Sequence, residues 1–85
     1  MNNYVTGKII KELREKKNLT QLELANIIGV SDKAISKWET SKGLPDITLI
    51  KPLAQALNIS IIELISGDYV INNNKASNIE KSKLY

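Results

Sequence analysis

Cysteine and histidine are both absent from this 85-residue sequence. The absence of cysteine excludes a disulfide framework, a thiolate metal site and a cysteine nucleophile, and it is compatible with a cytoplasmic location. The absence of histidine removes the commonest general base and the commonest metal ligand. From these two absences we expect no metal and no cofactor.

Long apolar runs are also missing from the sequence. No run approaches the roughly 18 residues that a membrane span requires, and the N-terminal stretch MNNYVTGKIIKELREKK lacks the apolar core and cleavage site of a signal peptide. We therefore expect no membrane partner. The nine acidic residues are spread along predicted surface helices, and there is no glycine-rich phosphate loop. An enzyme is therefore not predicted.

What the sequence does contain is the composition of one small globular domain. Apolar residues make up 42% of the chain, and the length is enough for one domain but not for two. The formal net charge of +3 permits a nucleic-acid partner without requiring one.

Apolar residues recur at helical spacing along most of the chain, which predicts an all-α fold of five helices. The predicted helices cover about residues 6–17, 21–28, 32–40, 47–57 and 61–66. The predicted core takes apolar residues from each of them: Ile10, Leu13, Leu22, Ala25, Ile28, Ile35, Ile50, Leu53, Leu57 and Ile62.

Helix caps give the sharpest local predictions. Thr20 and Glu23 form a T-x-x-E capping box, and Gly29 supplies the left-handed residue that ends the same helix. Ser31 caps the third helix only two residues later. The remaining predicted caps are Thr6, Asp46 and Ser60 for the first, fourth and fifth helices.

Pro52 conflicts with the fourth helix, because an interior proline loses one hydrogen bond of the helical ladder and costs about 3 kcal/mol. We therefore expect a kink there, or a looser turn over residues 46–51. The loop before this helix has the sequence SKGLP, in which Gly43 and Pro45 interrupt helical structure.

The third helix is short, and its residues divide between two faces. At about 100° per residue, its apolar side chains fall in one arc and its hydroxyl and ammonium groups fall in the opposite arc. The apolar arc holds Ala34, Ile35 and Trp38, and the polar arc holds Lys33, Ser36, Lys37 and Thr40. Because only residues 29–31 separate the second and third helices, they must cross steeply, as in a helix-turn-helix. In that motif the second helix enters the DNA major groove.

Four short patterns between Leu13 and Ile65 carry a resemblance to a known family. They are T-Q-x-x-L-A, G-V-S, I-S-x-W-E and L-A-x-A-L, in that order along the chain. This stretch resembles the helix-turn-helix domain of the Cro/CI-type repressors, also called the xenobiotic-response-element-like family. The resemblance implies a compact lambda-repressor-like fold of five helices, in a bacterial or phage repressor of transcription. It also implies a homodimer on double-stranded DNA with a two-fold symmetric operator.

The resemblance assigns base contacts to four residues of the third helix. Asp32, Lys33 and Lys37 occupy the positions from which this family reads bases, and Ala34 is the fourth predicted base contact. The lysines could donate to guanine, or they could form a solvated face, and Lys37 could contact phosphate instead. Asp32 could accept from cytosine or could only favour the helix N-terminus. Ala34 could touch a thymine methyl group or only pack against the second helix.

A second set of residues is predicted to contact DNA phosphates, which position a protein without carrying sequence information. Gln21 resembles the family's glutamine that holds a phosphate and braces the recognition helix, although it could be an exposed residue without a role. The ring of Trp38 is expected to be partly buried with its N–H near a phosphate, although its role could be purely structural. The predicted phosphate contacts are Gln21, Ser31, Ser36, Trp38, Thr40, Ser41 and Lys42.

The resemblance further implies an ion pair between Arg14 and Glu39, which would tie the first helix to the recognition helix. The alternative is two unrelated surface charges, worth about 0–1 kcal/mol if they meet at all.

Beyond residue 67 the sequence changes character. We predict a helix-turn-helix domain over residues 1–67 and a linker or poorly ordered tail over 68–85. Residues 69–71 could form a short strand and residues 77–85 a frayed helix. The chain resembles the N-terminal part of a longer regulator with a second domain, and the tail could otherwise serve as a dimerisation arm.

The alternative function is a protein-interaction or antitoxin-type module that binds a partner protein as well as DNA or instead of it. The fifth helix is the candidate dimer surface, because it is apolar nearly all round, with Ile61, Ile62, Leu64 and Ile65.

Overall fold

Five α-helices follow one another in residues 2–67, which are the residues that the computed structural model describes. The all-α prediction of five helices is confirmed. The linker, strand and frayed helix predicted beyond residue 67 lie outside the described residues. The helices are α1 (Asn3–Lys16), α2 (Gln21–Ile28), α3 (Asp32–Glu39), α4 (Ile47–Leu57) and α5 (Ile61–Ser66).

The beginning of α1 differs from its prediction. Asn2, not Thr6, caps the helix, because the Asn2 Oδ1 accepts hydrogen bonds from the backbone N–H groups of Tyr4 and Val5. Asparagine is among the strongest N-cap residues, and its amide oxygen is available one turn before Thr6. Thr6 lies inside the helix and is buried. The helix therefore starts three residues earlier than periodicity indicated.

The caps of α2 are as predicted. Thr20 Oγ1 accepts the backbone N–H of Glu23 at 3.0 Å, and the Glu23 carboxylate accepts the N–H of Thr20 at 2.8 Å. Gly29 ends the helix with φ of 82°, a conformation that glycine adopts without a Cβ clash. Ser60 caps α5 with a second reciprocal capping box, in which Glu63 is the partner.

The fourth helix runs without a break through Pro52, so the looser turn predicted over residues 46–51 is wrong. The proline leaves the carbonyl of Thr48 without its helical N–H partner. Thr48 lies in the exposed first turn, where water can take the place of that donor. Three core residues of α4, namely Leu53, Ala54 and Leu57, follow Pro52 and hold the helix against the rest of the domain.

Two residues predicted for the core are instead exposed. Leu22 is 55% exposed and Ile62 is 74% exposed, whereas Leu24 and Leu64, two positions later, are fully buried. Both helices are short and rich in apolar residues, so periodicity alone does not fix which stripe faces inward. Ile28 is half-buried against the core. The buried apolar residues are Ile9, Ile10, Leu13, Leu24, Ala25, Ile35, Trp38, Ile50, Leu53, Ala54, Leu57 and Leu64.

The first and third helices touch through their backbones. A Cβ atom on Gly7 would overlap the carbonyl oxygen of Trp38, so only glycine fits at this point of α1. The contact lies one residue before Glu39, at the end of α3. It fixes the C-terminal end of α3 against the body of the domain.

Candidate nucleic-acid interface

A three-residue turn joins α2 to α3. The turn begins at Gly29, the left-handed residue that ends α2, and finishes at Ser31, the N-cap of α3. The Ser31 Oγ accepts the backbone N–H of Ala34 at 3.2 Å, so this exposed hydroxyl already has a structural role. The turn and the cap together make α3 start in a new direction immediately after α2.

The third helix buries one face and exposes the other. Ile35 is fully buried and Trp38 is only 5% exposed, so the tryptophan is a core residue and the partial burial predicted for it is wrong. Asp32, Lys33 and Lys37 are exposed. Thr40, the C-cap of α3, is exposed as well. We call Asp32, Lys33, Lys37 and Thr40 together the recognition face.

Neither lysine of the recognition face is neutralised within residues 2–67. The ion pairs of that part of the chain involve Lys8 and Arg14, and they leave Lys33 and Lys37 without a carboxylate partner. Two ammonium groups four residues apart on one helix point to the same side of it. The recognition face therefore offers positive charge to a partner rather than to the protein itself.

The hydroxyl groups near the end of α3 are partly committed to the backbone. Thr40 Oγ1 donates to the carbonyl oxygen of Ser36 at 2.8 Å, which leaves its lone pairs accessible on an exposed residue. Ser36 and Ser41 are half-buried, and Lys42 is exposed. Ala34 is half-buried against the core, while its predicted thymine contact stays a prediction.

Arg14 and Glu39 form an ion pair between α1 and the end of α3. Arg14 Nε lies 2.6 Å from Glu39 Oε2, and Arg14 Nη2 lies 3.0 Å from Glu39 Oε1. The two side chains are only 10% and 2% exposed, so this is a bidentate pair shielded from water. The hydrogen bonds to Glu39 raise the pKa of Arg14 against the opposing effect of burial.

Gln21 joins the same cluster from α2. Its Nε2 donates to Glu39 Oε1 at 3.0 Å, and the residue is half-buried at the first turn of the helix. One carboxylate therefore receives donors from both α1 and α2. The amide of Gln21 keeps its Oε1 and its second N–H for another partner.

Two contributions to this site have no clear signature in the sequence. Arg14 Nη1 donates to the carbonyl oxygen of Leu19 at 2.7 Å, and a backbone acceptor of this kind can belong to any residue. Gly43 lies beneath the side chain of Lys37. The sequence marked Gly43 only as a helix-interrupting residue, and the contact depends on how the loop turns back.

A second exposed surface is apolar. It is a groove of about 390 Å³ formed where the α3–α4 loop, α4 and α5 meet. Ile47 is its most prominent member, with 85% of its surface exposed. We call this surface the apolar groove, and its lining residues are Leu44, Pro45, Ile47, Ile50, Lys51, Ile61 and Ile65.

Two other kinds of site, a membrane span and a metal site, are not found in residues 2–67. No helix there is long and apolar enough to cross a membrane. In the same part of the chain no three histidine, cysteine or acidic residues gather where they could hold a metal ion.

The geometry of α2, its short turn and α3 defines a helix-turn-helix protein, and comparison with known proteins gives the same class. The helix-turn-helix family model matches residues 10–64 of the chain. The chain therefore belongs to this family, in its Cro/CI type, which comprises DNA-binding transcriptional regulators.

Several known proteins are similar to the chain. The transcriptional activator BcrR of Enterococcus faecalis is 40% identical over 75 residues, which is 85% of this chain and 37% of BcrR. The antitoxin PezA of Streptococcus pneumoniae is 36% identical over 66 residues, which is 78% of this chain and 42% of PezA. The chain thus spans about two fifths of the length of these curated relatives.

A solved structure agrees in both fold and sequence. The c2 repressor of Salmonella phage P22, crystallised with a synthetic operator, superposes with a TM-score of 0.71 and 35% identity. The match covers 73% of this chain and 94% of the repressor chain. The resemblance to lambda-repressor-like domains is confirmed.

Proposed function

We propose that this chain is the DNA-reading domain of a transcriptional repressor, with α3 in the major groove of a specific operator. The observation that carries the proposal is the recognition face, where Lys33 and Lys37 are exposed and have no carboxylate partner within residues 2–67, on a helix whose other face is in the core. An α-helix fits the width of the major groove, and lysine donates to the O6 and N7 atoms of guanine.

The other polar residues support this arrangement in distinct ways. Gln21, Ser31 and Lys42 flank the recognition face and would hold phosphates, with Ser36, Thr40 and Ser41 as further candidates. Trp38 is buried, so any phosphate contact would involve only its N–H edge. Asp32, at the first turn of α3, would accept from cytosine or would act only through the helix N-terminus.

The Arg14–Glu39 pair has an electrostatic role in the proposal. An uncompensated carboxylate at the end of the recognition helix would repel phosphates. Arg14 and Gln21 instead surround Glu39 with three hydrogen bonds and keep it almost fully buried. The pair therefore holds α3 in place and removes a negative charge from the side that would meet DNA.

Selection from a pool of random duplexes tests this function. The 85-residue chain should enrich a common sequence from duplexes of about 30 base pairs, which are long enough for two half-sites. The logarithm of its affinity should then fall linearly with the logarithm of salt concentration, with a slope of about −0.9 for each phosphate contacted. A chain that enriches nothing and binds duplexes independently of salt would contradict the proposal.

We further propose that a second copy of the chain occupies the apolar groove. The groove includes Leu44 and Pro45 from the loop that directly follows α3, so pairing two copies there would bring two recognition helices to neighbouring positions. A two-fold interface uses the same patch on both copies, which suits a groove that carries exposed isoleucines of its own, such as Ile47. Such a pair matches a symmetric operator with half-sites about one helical turn apart.

Self-association can be measured by sedimentation of the 85-residue chain and two variants. Ile47→Glu places a charge in the groove at a residue that is already largely exposed, so folding should be preserved. Ile27→Glu is the matched control, because Ile27 is an exposed isoleucine of α2 outside the groove. Association that Ile27→Glu weakens as much as Ile47→Glu would contradict the placement.

The apolar groove also keeps the alternative function open, in which a partner protein is the main ligand. PezA, a relative of this chain, is an antitoxin. Apolar anchor residues are the usual centres of protein–protein interfaces. A protein contact made there should respond little to salt, and it should survive charge reversal of Lys33 and Lys37. Sequence-specific duplex binding should not survive that reversal.

A further inference from the structure

Gly43, in the loop between α3 and α4, lies directly beneath the side chain of Lys37. A Cβ atom built on Gly43 would be 2.6 Å from Lys37 Cε, 3.4 Å from Cδ and 3.5 Å from Cγ. These are the three nearest atoms, and they are consecutive carbons of one lysine. The aliphatic stem of Lys37 therefore crosses over the backbone of Gly43.

The backbone conformation does not explain why this residue is glycine. Gly29 and Gly67 both have φ of 82°, a conformation that other residues adopt only with strain. Gly43 is not among the residues of the described chain with positive φ. A side chain at this residue would instead meet the stem of Lys37, which is exposed and flexible and would have to move aside.

The end of α3 produces this contact. Ser41 has a left-handed backbone with φ of 64°, and its N–H donates to the carbonyl oxygen of Trp38 at 3.1 Å. The N–H of Lys42 donates to the carbonyl oxygen of Lys37 at 2.9 Å. These two bonds form a Schellman motif, which reverses the chain at the end of a helix. The reversal carries Gly43 back onto the stem of Lys37.

We infer that Gly43 is a positioning residue for Lys37 and thereby a determinant of DNA sequence specificity. The inference rests on the proposed function. An exposed lysine is a flexible point charge, and a stem resting on the loop has fewer directions in which to present its ammonium group. A Cβ on Gly43 would displace Cε by about 1 Å to reach ordinary carbon–carbon contact. The ammonium group would then leave the position from which it contacts a base.

A double-mutant cycle tests this coupling. The probe is the duplex that the wild-type 85-residue chain enriches most from a random pool, and the variants are Gly43→Ala, Lys37→Ala and the double variant. Gly43→Ala should weaken binding by about three- to tenfold when Lys37 is present and by less than about twofold when it is absent. Repeated selection should show that Gly43→Ala and Lys37→Ala relax preference at the same base pair.

Two controls separate positioning from a general structural effect. Thermal melting should show that Gly43→Ala folds as the wild type does. Lys33→Ala is the matched lysine control, because no atom of Lys33 is among the three nearest to a Cβ on Gly43. The effect of Lys33→Ala on binding should therefore add to that of Gly43→Ala. In the free wild-type protein, a nuclear Overhauser contact should join the Lys37 ε-protons to the Gly43 α-protons.

Two results would overturn the inference while leaving the proposed function intact. The first is specific binding by the wild type with equal effects of Gly43→Ala in both Lys37 backgrounds. The second is a uniform loss of affinity for all duplexes without a change in base preference. If the wild type binds no duplex, the proposed function fails, and the role of Gly43 in specificity fails with it.

Discussion

The recognition face and the apolar groove differ in the two properties that select a partner. The recognition face presents two ammonium groups on one short helix and a hydroxyl on its C-cap, and neither ammonium group has a carboxylate partner within the described residues. The apolar groove is lined mainly by isoleucine, leucine and proline from three segments of the chain. Free positive charge attracts a polyanion over distances of about a Debye length, whereas apolar surface gains free energy only in direct contact. In the proposed function, one small domain thus uses separate surfaces to bind nucleic acid and a second copy of the chain.

Reversing the charge of the recognition face should abolish specific binding to DNA. We expect Lys33→Glu combined with Lys37→Glu to weaken specific duplex binding by about a thousandfold, because the two proposed base contacts would be lost and two carboxylates would face phosphates. Fluorescence anisotropy with the selected duplex measures this loss. Self-association should be unchanged, since neither lysine lines the groove. A comparable loss of self-association would mean that the two surfaces are not separate.

The cluster formed by Arg14, Gln21 and Glu39 should contribute more to the free energy of unfolding than the recognition face or the apolar groove does. Arg14→Ala leaves the nearly buried carboxylate of Glu39 without its main partner, which costs about 3 kcal/mol or more. The melting temperature should fall sharply, and binding to all duplexes should weaken alike. Selective loss at one base pair would contradict this view of Arg14.

The matched control for Arg14→Ala is Lys8→Ala. Lys8 and Glu12 form an ion pair on the surface of α1, with an N···O distance of 4.0 Å and half of each side chain exposed. Such a pair contributes about 0–1 kcal/mol. The difference between the two variants therefore measures what burial adds to an ion pair on the same helix.

The apolar groove should show a smaller effect on operator binding than the recognition face. We expect Ile47→Glu to weaken binding to a two-half-site duplex by about ten- to a hundredfold, because two copies no longer bind as one unit. Binding to an isolated half-site should stay the same. Equal weakening on both duplexes, measured by anisotropy, would instead place Ile47 in the DNA interface.

The smallest effect is expected at Asp46, which caps α4 beside the groove. Hydrogen bonds from the backbone N–H and the hydroxyl of Thr48 lower the pKa of this carboxylate. A lowered pKa means that the unfolded chain binds the proton more readily, so the stabilisation is present above the ordinary aspartate pKa and is lost as pH falls through the folded value. Melting temperature between about pH 5 and 2 should therefore fall slightly more steeply for the wild type than for Asp46→Asn.

Local signals in the sequence predicted the elements that position the site. The Thr20–Glu23 capping box and Gly29 involve groups within a few residues of one another, so the chemistry of each helix end could be read directly. The division of α3 into two faces followed from helical geometry, and the exposure of Lys33 and Lys37 agrees with it.

The parts that the sequence did not predict depend on tertiary packing. Leu22 and Leu24 are equally apolar, and only the way α2 packs decides that Leu24 is inside. The hydrogen bond from Arg14 to the Leu19 carbonyl could not be predicted, because every residue type has a backbone carbonyl. The contact between Gly43 and Lys37 requires the chain reversal after α3, which a serine rather than a glycine makes at Ser41.

The contact of Gly7 with the Trp38 carbonyl has a consequence for the duplex. Because the backbones of α1 and α3 already touch, α3 cannot shift toward α1 to fit a poorly matched groove. In the proposed complex, an adjustment in that direction must come from the DNA, and the free-energy cost of bending and twisting DNA depends on base sequence. A recognition helix held against α1 in this way would favour operators whose uncontacted base pairs deform easily.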